Sequence, residues 1–273
     1  MTFRTLNIFL CIVHVLLAIG FTVYFYGIQS RVSSPLDLTI RDHKLTHEKP
    51  SDYDSVVQHD TSMWSVEVLV IAFFAVTAIF HGVYATTANT VYARMVRDKN
   101  NWMRWIEYGI SSTLMIYIIA FMSGVKDLNT YILLAFLNVC MIMQGQSVEE
   151  NRRRGMSTVL PLATGFLLLS GEITVITKDF FRRVNEVKTT TGKSIPSWLP
   201  SMIFILFIFY ACFGFVSVIN ATTQTPYTSI EKTYLWLSLA SKATLGAFLA
   251  YGLGQRATME SETTTTPQTT EQI

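Results

Sequence analysis

The sequence predicts an all-α membrane protein: a bundle of seven transmembrane helices with a short β-element in its long first loop. Three observations carry this. Half of the 273 residues are hydrophobic and only 15% are charged, too apolar a mixture for an ordinary soluble domain. Seven stretches reach the ~20 mostly apolar residues that a membrane-crossing helix needs: 6–27, 64–88, 103–124, 128–147, 157–178, 198–219 and 231–254. Together they use more than half of the chain, which leaves one membrane domain, 1–256, and a Thr-rich tail, 257–273.

The first stretch is apolar from Leu6 to Ile28, too long for the core of a signal peptide, and no A-x-A-like cleavage site follows it. It reads as a retained span. The connection 29–62 is polar and punctuated by Pro35 and Pro50; between them Leu36-Asp37-Leu38-Thr39-Ile40 alternates apolar and polar, which suits a short strand. The brief connection 125–127 forces its two helices to be antiparallel. Glu67 opens the second span, while Glu149 and Glu150 close the fourth at the interface. Residues 179–197 read as a second polar loop. Its Gly192-Lys193-Ser194 is not a phosphate-binding loop, because the first glycine of that motif falls on Val187. Thr228 and Glu231 have the spacing of a capping box at the start of the last helix. The tail, rich in Thr, Glu and Gln, cannot build a core and is expected to be disordered. Cys11, Cys140 and Cys212 all lie in apolar runs and offer neither a metal-ligand spacing nor a disulfide framework. A net charge of +2 gives no basic surface for nucleic acid.

Seven spans put the termini on opposite sides. The compact cation clusters Arg94/Arg97/Lys99 and Arg152-Arg153-Arg154 favour a cytoplasmic N-terminus and an extracellular C-terminus. The sequon Asn220-Ala221-Thr222 offers a check, since it accepts a glycan only if the N-terminal side is outside.

Ionisable residues inside a span cost roughly 2.5–3.5 kcal/mol each, so each needs a reason. Lys242 stands alone in the last apolar stretch, roughly 12 Å past Tyr234 at ~1.5 Å per residue. A lysine there is half of a buried ion pair, or a desolvated amine able to form a Schiff base with an aldehyde. Glu107, near the start of the third span, is the opposite charge; its alternative is an interfacial pair with Arg104 or Arg97. His14 and His81 are each about 10–12 Å from the N-terminal side of the membrane. That is the depth of Lys242, with Glu107 somewhat shallower. Four helices therefore bring titratable groups toward one layer, as proton handling requires, although a lone histidine on an apolar face is more often a core residue. Ser238 shares the face of Lys242 one turn before it. Glu172 lies in the other half of the bilayer, paired with a loop cation, protonated against Ser170 or Thr174, or part of a proton path. Tyr108, Ser112 and Met115 share one face of the third span, Asn138 and Met141 one of the fourth, Phe207 and Tyr210 one of the sixth. Such stripes pack helices, or wall a long apolar ligand.

The run Arg104-Trp-Ile-Glu107-Tyr108-Gly-Ile-Ser111-Ser112-Thr-Leu-Met115, the segment Ser238-Leu-Ala-Ser-Lys242 and Phe80-His81 together resemble the heliorhodopsins. The resemblance runs through all seven helices. It implies all-trans retinal on Lys242 as a protonated Schiff base, Glu107 as its counterion, and His14 and His81 lining the cavity beside it. Ser238, Asn101 and Glu149 match family positions. It further implies inverted topology relative to other microbial rhodopsins, and a homodimer whose long first loop forms an extracellular β-element. Two positions depart from the family pattern. Ala247 stands where a tryptophan commonly follows the lysine, which bears on pocket shape and colour. Glu172 replaces an apolar residue or proline.

The expected function is a lipid-embedded photoreceptor: light isomerises the chromophore, and a slow photocycle signals an unidentified cytoplasmic partner. A light-gated proton channel or transporter using Glu172, Glu149 and Asn101 is the alternative, and a retinal-free transporter or scaffold a third. An enzyme is not expected, because no nucleophile–base or metal constellation lies in the spans.

Overall fold

The computed structural model describes residues 2–29, 37–45, 56–192 and 194–265. Among the described residues, eight helices and two strands follow in the order α1 (Phe3–Gln29), β1 (Asp37–Leu45), β2 (Val56–Ser65), α2 (Val66–Ala85), α3 (Asn89–Arg97), α4 (Trp102–Met122), α5 (Leu128–Arg153), α6 (Val159–Thr191), α7 (Trp198–Thr222) and α8 (Tyr227–Thr265). Six of these, α1, α2, α4, α5, α6 and α7, are long and apolar enough to cross a membrane. α8 is longer than any of them, but Lys242 and the serines around it dilute its apolarity. The chain is an integral, multi-pass membrane protein.

Local chemistry sets several boundaries. Ser65 caps α2 by accepting from Val68 N at 3.2 Å, so this helix starts where β2 ends rather than at 64. Asn101 caps α4 through Arg104 N, and Asp127 caps α5 through Thr130 N at 2.8 Å. Gly124, with φ +91°, turns the chain between these two helices, and Arg183 packs directly against it. β1 and β2 pair antiparallel from Asp37↔Ser65 to Leu45↔Val56, with an irregularity between Leu38 and Thr39.

Four sequence expectations need correction. α3 occupies a stretch expected to be a plain connection; it buries Tyr92, Met95 and Val96 and leaves Arg94 and Arg97 in its last turn. The region 179–197 is helical as far as Thr191. Its residues are polar but contain no helix breaker before Gly192, which ends α6 at φ +66°. At about 50 Å, α6 exceeds the ~30 Å hydrocarbon layer, and its last turns stand beyond it. α8 likewise continues to Thr265 into the tail expected to be unstructured, while 266–273 lie outside the described residues. The sequon cannot report topology: Asn220 lies inside α7, is buried, and accepts from Arg152 Nη1.

Each of these long helices packs on the next, α2 directly on α4 with α3 standing between them only in sequence, and α1 closes the ring by packing on α8. The core is apolar and continuous, from Phe73 and Phe74 of α2 through Ile116 and Ile119 of α4 to Met202 and Leu206 of α7 and Leu245 of α8. Large apolar side chains also face outward, among them Leu16, Val23, Leu133, Phe136, Leu160, Leu167, Phe204 and Phe215. An outward surface of this kind is solvated by lipid tails, so polar groups gather inside the bundle.

Candidate functional site

Lys242 projects from α8 into the bundle and is fully enclosed. Its Nζ donates to Glu107 Oε1 at 3.0 Å and to Ser238 Oγ at 2.6 Å. Glu107 Oε1 also accepts from Thr77 Oγ1 at 2.7 Å and from Ser111 Oγ at 3.1 Å. The pair therefore has what a buried ion pair needs: close approach and additional hydrogen bonds to the carboxylate. The alternative partners Arg104 and Arg97 do not bond Glu107; Arg97 lies against Asp98 at the surface.

His14 and His81 form a polar layer on the α1–α2 side of this pair. Their ring centroids are 5.4 Å apart. His14 Nδ1 donates to Leu10 O at 2.7 Å, and its buried Nε2 has no partner among the described residues. His81 Nδ1 donates to Asn7 Oδ1 at 2.7 Å, and Asn7 is held through Nδ2 on Phe3 O. Both rings interact electrostatically with Lys242 and Glu107.

A second buried cluster lies one to two turns toward the start of α4. Arg104 donates through Nη1 to Glu231 and through Nη2 to Glu149. Glu149 also accepts from Trp105 Nε1 at 3.0 Å, Asn101 N at 3.2 Å and Tyr227 OH at 3.1 Å. Glu231 accepts from Asn101 Nδ2 at 2.8 Å and Tyr92 OH at 2.9 Å. The Arg104 guanidinium lies over the rings of Tyr234 and Trp105, 4.2 and 4.8 Å from their centroids. Glu149 is thus a deeply buried network member rather than an interfacial residue. Glu231 is not a cap for Thr228: its carboxylate is drawn inward, because a buried guanidinium needs charged acceptors. With two carboxylates and one cation, the trio is neutral when it holds one proton.

Lys242 opens on its other side into a cavity of about 790 Å³, counting the space at its mouth. Of the residues expected to wall a ligand, Tyr108, Ser112, Met115, Met141, Tyr210 and Ser238 line it. The sequence reading missed Trp105, Phe213 and the α6 residues Leu162, Gly165, Phe166 and Leu169. Asn138 stands behind the wall and donates to Ser112 Oγ and Thr113 Oγ1, both at 2.8 Å. Phe207 packs into the core instead. His14 and His81 do not line this cavity; they sit across the Lys242–Glu107 pair from it. Ala247 is exposed, since five residues on from Lys242 is the opposite face of a helix, so the departure there leaves the cavity wall untouched. Glu172 is buried on α6, and neither carboxyl oxygen has a hydrogen-bond partner among the described residues.

The site fits a long apolar aldehyde. Its walls are aromatic, methionine and aliphatic, and a primary amine stands at one end. Two glycines let the walls close: a Cβ on Gly145 would overlap the Trp105 ring, and one on Gly214 would come within 2.9 Å of Phe166.

Solved structures share this fold. The light-driven proton pump LR (Mac) from Leptosphaeria maculans matches with a TM-score of 0.63 at 10% identity, over 93% of this chain and 96% of that one. Exiguobacterium sibiricum rhodopsin matches at 0.59 and 13%, over 94% and 99%. The proton pumping rhodopsin AR2 from the marine alga Acetabularia acetabulum matches at 0.55 and 12%, over 97% of each chain. No curated protein sequence matches the chain. The Heliorhodopsin family model matches residues 3–253. A retinal protein of the membrane is what the fold, the cavity and that match describe together, and the chain belongs to the heliorhodopsin family.

Proposed function

We propose that this protein is a photoreceptor that holds all-trans retinal on Lys242 Nζ, with Glu107 as the counter-charge. The observation that carries the reading is one buried amine, 3.0 Å from a carboxylate, at the edge of an apolar cavity. Retinal bound there supplies visible absorption and light-driven isomerisation. The chain supplies the rest. Thr77 and Ser111 hold Glu107 Oε1 in place, and Ser238 Oγ steadies Nζ. His14 donates through Nδ1, so the neutral ring presents Nε2 as an acceptor able to take up a proton. The Arg104–Glu149–Glu231 cluster closes the bundle toward the N-terminal side, and its rearrangement reports to a cytoplasmic partner. The cation clusters at Arg94/Arg97/Lys99 and Arg152-Arg153-Arg154 support a cytoplasmic N-terminus. The β-pair of the first connection is the candidate contact of a homodimer.

Full-length protein reconstituted with all-trans retinal is expected to be coloured, and Lys242→Ala colourless. A Lys242→Ala variant with full visible absorbance overturns the reading. A second reading, light-dependent proton transport, is favoured by one observation, the buried carboxyl of Glu172, which has no hydrogen-bond partner among the described residues. Light-on currents under voltage clamp that Glu172→Gln abolishes would select it; no current in the wild type selects the photoreceptor.

A further inference from the structure

Glu172 stands apart from the other buried carboxylates of the described chain. Glu107, Glu149 and Glu231 each accept from several side chains, whereas Glu172 is 1% exposed and accepts from none. It shares the inward face of α6 with Leu169 and Ile176. The hydroxyls beside it are engaged elsewhere: Ser170 Oγ donates to Leu167 O, and Thr174 Oγ1 to Ser170 O, both at 2.7 Å. So are two of the cations further along the helix. Arg182 pairs with Asp179 at 2.9 Å, and Arg183 packs on Gly124. A carboxylate alone in an apolar interior is too costly to remain charged, so the group takes up a proton.

Glu172 also adjoins the chromophore cavity. Leu169, one turn before it, lines the cavity, as does Tyr210, which lies close enough to Glu172 to interact with it electrostatically. Tyr210 OH donates to Ser112 O at 3.2 Å, and Asn138, whose Oδ1 is buried without a partner among the described residues, donates to Ser112 Oγ. Polar groups thus line and back the part of the cavity wall that Glu172 adjoins: Tyr210 and Ser112 in the wall, Asn138 behind it.

We propose that Glu172 is a second proton-bearing group of the light response: a neutral carboxylic acid in the dark, whose hydrogen bonding changes when the cavity wall at Tyr210 repacks. This rests on the retinal reading above. The proton stays on the Glu172 carboxyl; its O–H gains an acceptor, and no covalent bond is made or broken.

The test is infrared spectroscopy of the full chain in the C=O stretching region of protonated carboxylic acids. The dark spectrum, with or without retinal, is expected to lose intensity in Glu172→Gln. The light-minus-dark spectrum of the retinal-bound wild type is expected to show a difference pair that vanishes in Glu172→Gln, with the visible band retained, and shifts in Tyr210→Phe. A pair unchanged in Glu172→Gln, or no pair from a coloured protein that completes its photocycle, overturns the proposal. Should Glu172→Gln fail to assemble, Glu172→Asp must shift the pair, and an unshifted pair overturns it. A colourless wild type would instead sink the retinal reading itself.

Discussion

Gly145 provides a test of the cavity wall that the geometry makes quantitative. A methyl group at this position would lie 3.0 Å from Trp105 Cε3, and closer still to Cζ3 and Cη2. Ordinary carbon–carbon contacts are about 3.5–4.0 Å, so relieving even the longest of these contacts moves the ring by about 0.5 Å, and the nearer Cζ3 and Cη2 require roughly twice that. Trp105 is not free to do so: its Nε1 donates to Glu149 Oε2 at 3.0 Å. If the ring slides with that bond intact, overpacking costs about 1–3 kcal/mol. Losing the bond to a charged acceptor adds about 1.5–3 kcal/mol. The assay is thermal loss of the visible band in detergent-solubilised, retinal-bound protein, comparing wild type, Gly145→Ala, Trp105→Phe and the double variant. Phenylalanine removes the outer ring that the methyl would strike, so the double variant is expected to be more stable than the sum of the single effects. The coupling is expected to be about 1–3 kcal/mol. A Gly145→Ala protein within about 0.5 kcal/mol of wild type, or strictly additive effects, refutes the reasoning.

Further outcomes follow from the same geometry. Glu107→Gln removes the carboxylate beside Nζ, and the visible band at neutral pH is expected to give way to near-ultraviolet absorption; an unchanged spectrum rejects Glu107 as counter-charge. Arg104→Met strands Glu149 and Glu231 and is expected to cost about 3–5 kcal/mol. Adding Glu149→Gln and Glu231→Gln should return most of that stability, and a triple variant no better than the single one contradicts the charge argument. Ala247→Trp is expected to leave the absorption maximum in place, because the residue faces outward; a clear spectral shift would show that it reaches the chromophore.

The bundle was legible because a membrane imposes one rule, a long apolar run, and α1, α2, α4, α5, α6 and α7 each satisfy it. Lys242 and Glu107 stood out for the same reason inverted, as charges where charges are costly. Depth along each helix then brought His14 and His81 toward them. What escaped was chemistry without a cost signal. Thr77, Ser111 and Asn7 are small polar residues that spans tolerate, so nothing in their type marks them as partners of Glu107 and His81. Glu231 was misread because its spacing from Thr228 mimics a cap, and only the fold reveals the guanidinium across from it. Glu149 was assigned to the interface because the fourth span was ended at 147, whereas α5 continues to Arg153. Phe207 shares a turn with Tyr210, but Leu206 holds the inward position, a difference of one residue that helical spacing alone does not resolve. The α6 wall went unseen because Gly165 and Leu169 act by shape.

The most direct measurement is the position of the covalent attachment. Retinal-reconstituted protein is treated with borohydride, digested and examined by mass spectrometry. A retinyl group is expected on the peptide carrying Lys242. A retinyl group on another lysine, or a coloured protein with no lysine adduct, would contradict it.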